Sequence, residues 1–143
     1  MDTHTAELTS LIQTLLKRPI AFHRAFANIA GGAMPGLFLS QAWYWSQRSG
    51  ADGWFYKTQE EWEEETALTR NEQEQVRKRL ITLRLIEEKL RGVPARLYYR
   101  LIQGNIERAI AGYPIPLTLE DTLAIEKTTL IKLLYRFYDV EKG

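Results

Sequence analysis

The chain of 143 residues has the length of one domain, and its 45% hydrophobic and 26% charged residues are ordinary values for a globular protein. It contains no cysteine, which excludes disulfides and thiolate chemistry and fits a cytoplasmic location. The first 18 residues lack the apolar stretch of a secretory signal, so we do not expect export. The net charge is only +1, but five carboxylates and no cations lie within 58–69, whereas nine cations and four carboxylates lie within 70–100.

Residues 5–17 form the first predicted element, an amphipathic helix. Leucine and isoleucine recur there at helical spacing, and Pro19 prevents the helix from continuing. The next segment, 20–30, is ambiguous in its pattern, although Phe22 and Phe26, four positions apart, favour a helix.

The longest uncharged segment covers residues 25–47. Polar side chains and the run Gly31-Gly-Ala-Met-Pro-Gly36 interrupt it, so we expect no membrane contact. Its second half is interpreted as a buried helix that begins at Pro35. Turn residues over 49–53 end this helix, and Trp54-Phe55-Tyr56 is a candidate for a short strand.

Two further helices are predicted from capping boxes that begin eleven residues apart. Thr58-Gln-Glu-Glu combines a hydroxyl at the helix start with a carboxylate that reaches back, and this helix is expected to extend to about Ala67. Thr69-Arg-Asn-Glu repeats the pattern, and the second helix is expected to extend to about Arg84. Two capped helices this close together define a helix-turn-helix.

A hairpin and further helices complete the chain. Residues 85–91 and 96–101 are strand-like, and the run Gly92-Val-Pro94 between them predicts a turn. A short helix is expected over 105–111, and Thr118 is expected to cap a final helical region.

These elements, together with the stretch Thr58-Gln-Glu-Glu-Trp-Glu-Glu-Glu-Thr-Ala-Leu-Thr-Arg70, resemble a winged helix-turn-helix domain over residues 35–101. The resemblance implies a mainly α, α+β fold with a C-terminal β-hairpin wing and extra helices at both ends. We expect an N-terminal helical extension over 1–34 and a C-terminal helical extension over 102–143, in one compact domain overall.

Individual residues both match the family and depart from it. Leu68 stands at its buried turn position, and Ala67 stands where the family often has glycine. Gln73 and Arg77, however, occupy places that are usually apolar. Either the second capped helix rolls, or its core stripe comprises Val76, Leu80 and Leu83.

A narrower resemblance rests on two segments, Asp52-Gly-Trp-Phe-Tyr-Lys-Thr-Gln-Glu-Glu-Trp-Glu-Glu-Glu-Thr66 and Ile86-Glu-Glu-Lys-Leu-Arg-Gly-Val-Pro-Ala-Arg-Leu-Tyr-Tyr-Arg100. They look like segments of bacteriophage and plasmid proteins with replication or replisome-organiser roles. This resemblance implies sequence-specific or structural binding of duplex DNA in phage or plasmid replication or transcription regulation.

The second capped helix offers groups suited to reading DNA. Opposite its core stripe it presents asparagine and glutamine, which bond adenine edges, and cations, which bond guanine or phosphates. Cations also cluster at the hairpin, where they would contact the DNA backbone or the minor groove. The predicted DNA contacts are Arg70, Asn71, Gln75, Lys78, Arg79, Lys89, Arg91 and Arg96. The alternative is that these charges only keep amphipathic surfaces solvated.

The acidic helix supports a second hypothesis. Its carboxylates repel phosphates, so the helix either stands off from DNA or contacts a protein; the alternative is a solvated helix without a partner, held to the body by Trp62. The alternative function is a protein-binding adaptor, or an inhibitor of a host replication or defence factor, that acts through this helix or the C-terminal one. Apolar residues at helical spacing near the C terminus also suit a homodimer. The expected interface residues are Glu60, Glu61, Glu64, Leu130, Leu134 and Phe137.

Catalysis, cofactors and metals have no support in the sequence. His4 and His23 have no neighbouring ligand pattern, and the glycine-rich run 31–36 lacks the lysine and hydroxyl of a phosphate-binding loop. The aromatic residues of 43–45 and 54–56 are expected to be core rather than a base-stacking surface. We therefore expect a protein that is not an enzyme.

Overall fold

The computed structural model describes residues 2–117, and within that range the chain forms six helices and three strands. In chain order these are α1 (Thr3–Leu15), α2 (Arg24–Ala30), α3 (Ala33–Ser46), β1 (Phe55–Tyr56), α4 (Gln59–Thr66), α5 (Arg70–Thr82), β2 (Ile86–Arg91), β3 (Arg96–Leu101) and α6 (Gln103–Ala111). All belong to the first of two units, Met1–Tyr113 and Pro114–Gly143. The mixture of helices with a small sheet confirms the predicted α+β class.

Both predicted capping boxes are confirmed. The Thr58 hydroxyl accepts a hydrogen bond from the Glu61 amide at 3.1 Å, and the Glu61 carboxylate accepts one from the Thr58 amide at 3.2 Å. At the start of α5 the same reciprocal pair joins Thr69 and Glu72, at 3.2 and 3.0 Å. Ala67 ends α4 with a φ of 62°, the left-handed conformation that explains why glycine suits this turn.

Several boundaries differ from the sequence pattern. The segment 20–30, whose pattern is ambiguous, becomes helical only at Arg24, and α3 begins at Ala33 rather than at Pro35. Pro35 lies in the first turn of α3, where its missing N–H leaves no helical bond unmade. Helices α2 and α3 meet closely at Gly36, where an added Cβ would lie 2.5 Å from the Ala27 Cα.

The sheet is antiparallel with strand order β1-β3-β2. Phe55 of β1 lies opposite Tyr99 of β3, which in turn lies opposite Glu88 of β2. Because side chains alternate along a strand, these three point to one face, the inner one, and their neighbours point to the other. The inner face packs against α3 and α5.

Trp62 of α4 lies at the centre of the core and is fully buried. Its ring stacks on Phe38 of α3 with centroids 4.0 Å apart, and Tyr99 meets it edge-on at 5.6 Å. Buried aromatic pairs of this kind add specific geometry to the burial of apolar area. One core therefore joins α3, α4 and the inner sheet face.

Neither alternative for the core side of α5 holds in full, because its buried residues are Gln73, Val76 and Leu80. Val76 and Leu80 are buried as predicted, whereas Leu83, at the end of the helix, is only half-buried. Gln73 is also buried, and its amide donates to the carbonyls of Gln59 at 3.0 Å and Leu68 at 2.9 Å. The amide is tolerated at a usually apolar position because its two donated bonds hold the helix-turn-helix together.

Helix α1 contributes no side chain to this core, because none of its residues is buried. None of the helices described is long and apolar enough to cross a membrane. The predicted final helical region, with Leu130, Leu134 and Phe137, lies outside the described residues.

Candidate nucleic-acid interface

One row of side chains follows the exposed face of α5. Asn71, Gln75 and Lys78 lie on successive turns and are all exposed. Neither amide makes a hydrogen bond to another described residue, whereas the Lys78 ammonium lies 3.6 Å from a carboxylate oxygen of Glu74, itself exposed. Arg70, at the first position of the helix, is exposed beside them. This row has free donors and acceptors for a partner outside the chain.

Arg79 differs from the other predicted contacts on α5. Its Nε donates to the carbonyl of Ala30, the last residue of α2, at 2.8 Å. Its guanidinium also covers Gly31, where an added Cβ would lie only 2.2 Å from the Arg79 side chain. The bond to a helix C-terminus is favourable for a cation and makes Arg79 a tie between α5 and α2.

The predicted hairpin cations lie on the face of the sheet that points away from the helices. Lys89 lies opposite Tyr98, Arg91 lies opposite Arg96, and Tyr98 also lies opposite Tyr56. We call this surface the outer sheet face. It comprises Trp54, Tyr56, Glu87, Lys89, Arg91, Arg96, Tyr98 and Arg100.

The expectation that the aromatic residues of 43–45 and 54–56 are core is wrong for Tyr44 of α3, which is 41% exposed, and for two residues of 54–56. Phe55 is buried, but Tyr56 is 38% exposed and Trp54 is half-buried on the outer sheet face. The signal was present in the sequence, since strict alternation along a short strand places consecutive aromatic residues on opposite faces.

The rings of the outer sheet face are interleaved with cations. The Arg100 and Arg91 guanidinium carbons lie 4.7 and 5.3 Å from the centre of the Trp54 ring. Arg91 also lies 5.2 Å from the Tyr98 ring, and Arg96 lies 5.1 Å from the Tyr56 ring. These separations are within the range of cation–π attraction.

Of the eight predicted DNA contacts, four therefore lie in the exposed row of α5 and three lie on the outer sheet face. The eighth, Arg79, holds α5 to α2. Helix α5 covers the inner face of the sheet, where its Arg77 donates to the Glu88 carboxylate at 3.0 Å. Its exposed row and the outer sheet face consequently point in different directions.

The acidic helix α4 is divided between surface and interior. Glu60, Glu61 and Glu64 are exposed, as the interface hypothesis requires. Glu65 instead turns inward, where its carboxylate accepts from the Gln41 amide at 2.6 Å and from the Trp45 indole at 2.8 Å.

Glu65 forms an ion pair with Lys57, a buried cation that the sequence analysis did not single out. The Lys57 ammonium also lies 4.0 Å from the centre of the Trp45 ring. Lys57 is two residues after buried Phe55, so the alternation along the strand was the available signal for its inward position.

A groove of about 800 Å³ lies beside this ion pair, between α3, α4 and the segment that follows α1. Its walls include Tyr44 and Trp45 from α3 and Glu61 and Glu64 from α4. No residue of α5 lines it. The groove is thus a third surface, distinct from the exposed row of α5 and from the outer sheet face.

Burial raises the pKa of the Tyr99 phenol above its ordinary value, although the nearby Arg77 cation partly opposes this effect. The phenol of Tyr99 therefore stays neutral near neutral pH, as suits a core residue. Within residues 2–117, no three His, Asp or Glu side chains come together in a way that would hold a metal ion.

No protein-family model, curated protein or solved structure matches this chain.

Proposed function

We propose that the protein is a winged helix-turn-helix that binds duplex DNA, with α5 as the helix that enters the major groove. The observation that carries the proposal is the exposed row of Asn71, Gln75 and Lys78, whose two amides have no partner among the described residues. An α-helix fits the major groove, and amide side chains there bond the adenine edge in a bidentate manner.

The order of the elements supports the same assignment. Helices α4 and α5 are joined by three residues, 67–69, and the β2–β3 hairpin follows directly. Strand β1, between α3 and α4, completes the sheet by pairing with β3. This is the order of the winged helix-turn-helix that the chain resembles, with α3 as its first helix.

The carboxylates of α4 should repel DNA phosphates at α5 less than the sequence suggests. Glu61 and Glu64 line the groove beside α3, and Glu65 is tied to Lys57. Three of the five carboxylates are thereby directed to a surface that contains no residue of α5. Their repulsion of phosphates near α5 is correspondingly reduced.

We also propose a role in phage or plasmid replication or regulation. The support for it is the resemblance of segments 52–66 and 86–100 to proteins with such roles. Duplex binding by α5 does not depend on this wider assignment.

The test is a salt titration of binding to preferred and random duplexes. Replacing Asn71 or Gln75 by alanine should remove about 1–3 kcal/mol of discrimination between the two duplexes and leave the salt dependence unchanged. Lys78→Ala should weaken binding to both and lower the slope of log affinity against log salt by about one.

Lys17→Ala is the matched control, because it removes an exposed cation that lines the groove rather than α5. It should change neither the discrimination between the two duplexes nor the slope of log affinity against log salt. If the unmodified protein shows no salt-sensitive affinity for any duplex at low ionic strength, the proposal is wrong.

The groove favours a second candidate function, the protein-binding adaptor or inhibitor of a host factor. Its α3 and α4 walls carry Glu61 and Glu64 beside Tyr44 and Trp45. The facing segment carries Lys17 and Arg18, so the groove suits a partner segment with charges of both signs. A complex with a replication or defence factor that survives Asn71→Ala but is lost in Glu64→Lys would establish this alternative.

A further inference from the structure

We infer that the outer sheet face binds a single strand of nucleic acid, independently of duplex binding by α5. The surface combines three aromatic rings with four cations, and it points away from the helix that the proposed duplex site uses. The inference does not require that α5 binds DNA.

The rings form a platform across the strands. Tyr56 and Tyr98 lie opposite each other on β1 and β3, with ring centroids 5.8 Å apart and the planes tilted by 40°. Trp54 lies just before β1 and is in reach of three cations. Tyrosine and tryptophan rings on an open sheet are surfaces on which unpaired bases stack, whatever their sequence.

The charges around the rings favour an anionic chain. Two of the four cations have carboxylate partners, since Arg100 pairs with Glu87 at 2.7 Å and Arg91 lies 3.6 Å from Asp52. Lys89 and Arg96 have no carboxylate partner among the described residues. Because both are exposed, they are available to phosphates at the edges of the platform.

The combination of aromatic rings and cations on the outer sheet face favours a single strand over a duplex. Bases in a duplex are stacked inside it and show only their edges, so they cannot lie flat on Tyr56 or Tyr98. A single strand exposes base faces and phosphates together, which matches a surface on which rings alternate with cations. The hairpin end, 92–95, carries no charge that would add a duplex contact there.

The test is binding of the full chain to fluorescent oligo(dT) and oligo(rU) in competition with an unlabelled duplex. We expect salt-dependent binding of the single strands that excess duplex does not abolish. Tyr98→Leu should reduce this affinity roughly tenfold, as the loss of one stacking ring does, and Tyr98→Phe should retain it. Lys89→Ala and Arg96→Ala should each lower the salt slope by about 0.7.

Two controls separate this surface from the others. Tyr113→Leu removes an exposed tyrosine that is not on the sheet and should leave single-strand affinity unchanged. Gln75→Ala should reduce discrimination between duplexes and leave single-strand affinity unchanged. The experiment therefore tests the duplex site on α5 and the single-strand site on the outer sheet face separately. Circular dichroism of each variant confirms that it is folded.

Three results would overturn the inference. The first is that neither single strand binds at low salt. The second is that Tyr98→Leu binds as well as Tyr98→Phe, which would show that the rings do not hold bases. The third is that heparin, a polyanion without bases, displaces the single strands at the same charge concentration from the unmodified protein and from Tyr98→Leu alike.

Discussion

Lys57 is the one charged residue that is buried in the described range 2–117. Its ammonium is almost completely buried, which is costly unless the charge is paired and hydrogen-bonded. Glu65 supplies the opposite charge, and the same carboxylate accepts from Gln41 and Trp45. This cluster links the segment after β1 to both α3 and α4.

Removal of the Glu65 carboxylate should therefore destabilise the fold strongly, because it leaves the Lys57 charge buried without a partner. We expect Glu65→Ala to lower the free energy of unfolding by about 3–5 kcal/mol, as measured by urea denaturation. The double variant Lys57→Met/Glu65→Leu, which removes both charges and keeps the volume, should recover much of the loss.

Glu64→Ala is the matched control for this prediction, since Glu64 is an exposed neighbour on the same helix. It should change stability by less than about 0.5 kcal/mol. If Glu65→Ala costs no more than the loss of an exposed ion pair, about 1 kcal/mol or less, then the burial of Lys57 does not depend on Glu65.

At the scale of elements, α4 shows how a short helix can be held by very few groups. It has eight residues, too few for a stable helix in isolation, and six of them are glutamate or glutamine on the surface or tied to neighbours. Its capping box satisfies the first turn, and Trp62 is its one large buried apolar side chain. Trp62 therefore supplies most of the packing energy that holds α4 against α3 and the sheet.

We expect Trp62→Ala to cost about 3–5 kcal/mol, the range for truncation of a large aromatic residue in a core. Urea denaturation is again the measurement, and Glu60→Ala, on the exposed side of the same helix, is the control. Because α4 positions the turn before α5, the variant should also weaken duplex binding. Unchanged stability in Trp62→Ala would show that α4 is held by other contacts.

At the scale of the whole molecule, α1 is the one helix of residues 2–117 that contributes no buried residue to the core. The apolar residues Leu8, Leu11 and Ile12 are 56%, 54% and 52% exposed. A helix with an uncovered apolar row adds little to the stability of the unit that carries it, because burial of apolar area is what stabilises. The homodimer expected from Leu130, Leu134 and Phe137 stays a prediction.

Deletion of residues 2–16 should consequently leave the free energy of unfolding of the remaining chain nearly unchanged. Thermal denaturation and urea denaturation of the shortened and full-length proteins test this directly. If the deletion lowers stability by more than about 1 kcal/mol, α1 packs on the rest of the chain more closely than its exposure indicates.

The sequence by itself determined α4, the start of α5 and the β2–β3 hairpin. Both helix starts were readable from capping boxes, and the hairpin strands were readable to within one residue, because caps, turns and alternation are local signals. Buried Val76 and Leu80 followed from helical periodicity. These features depend on residues within a few positions of one another.

Only the tertiary structure decided which faces meet. It buried Lys57 and Gln73, tied Arg79 to α2, and left Trp54 and Tyr56 on the outer sheet face. The physical reason is that the fate of a polar or aromatic side chain depends on partners distant in the sequence. The Ala30 carbonyl that binds Arg79 is 49 residues away, and no local pattern specifies such a pairing.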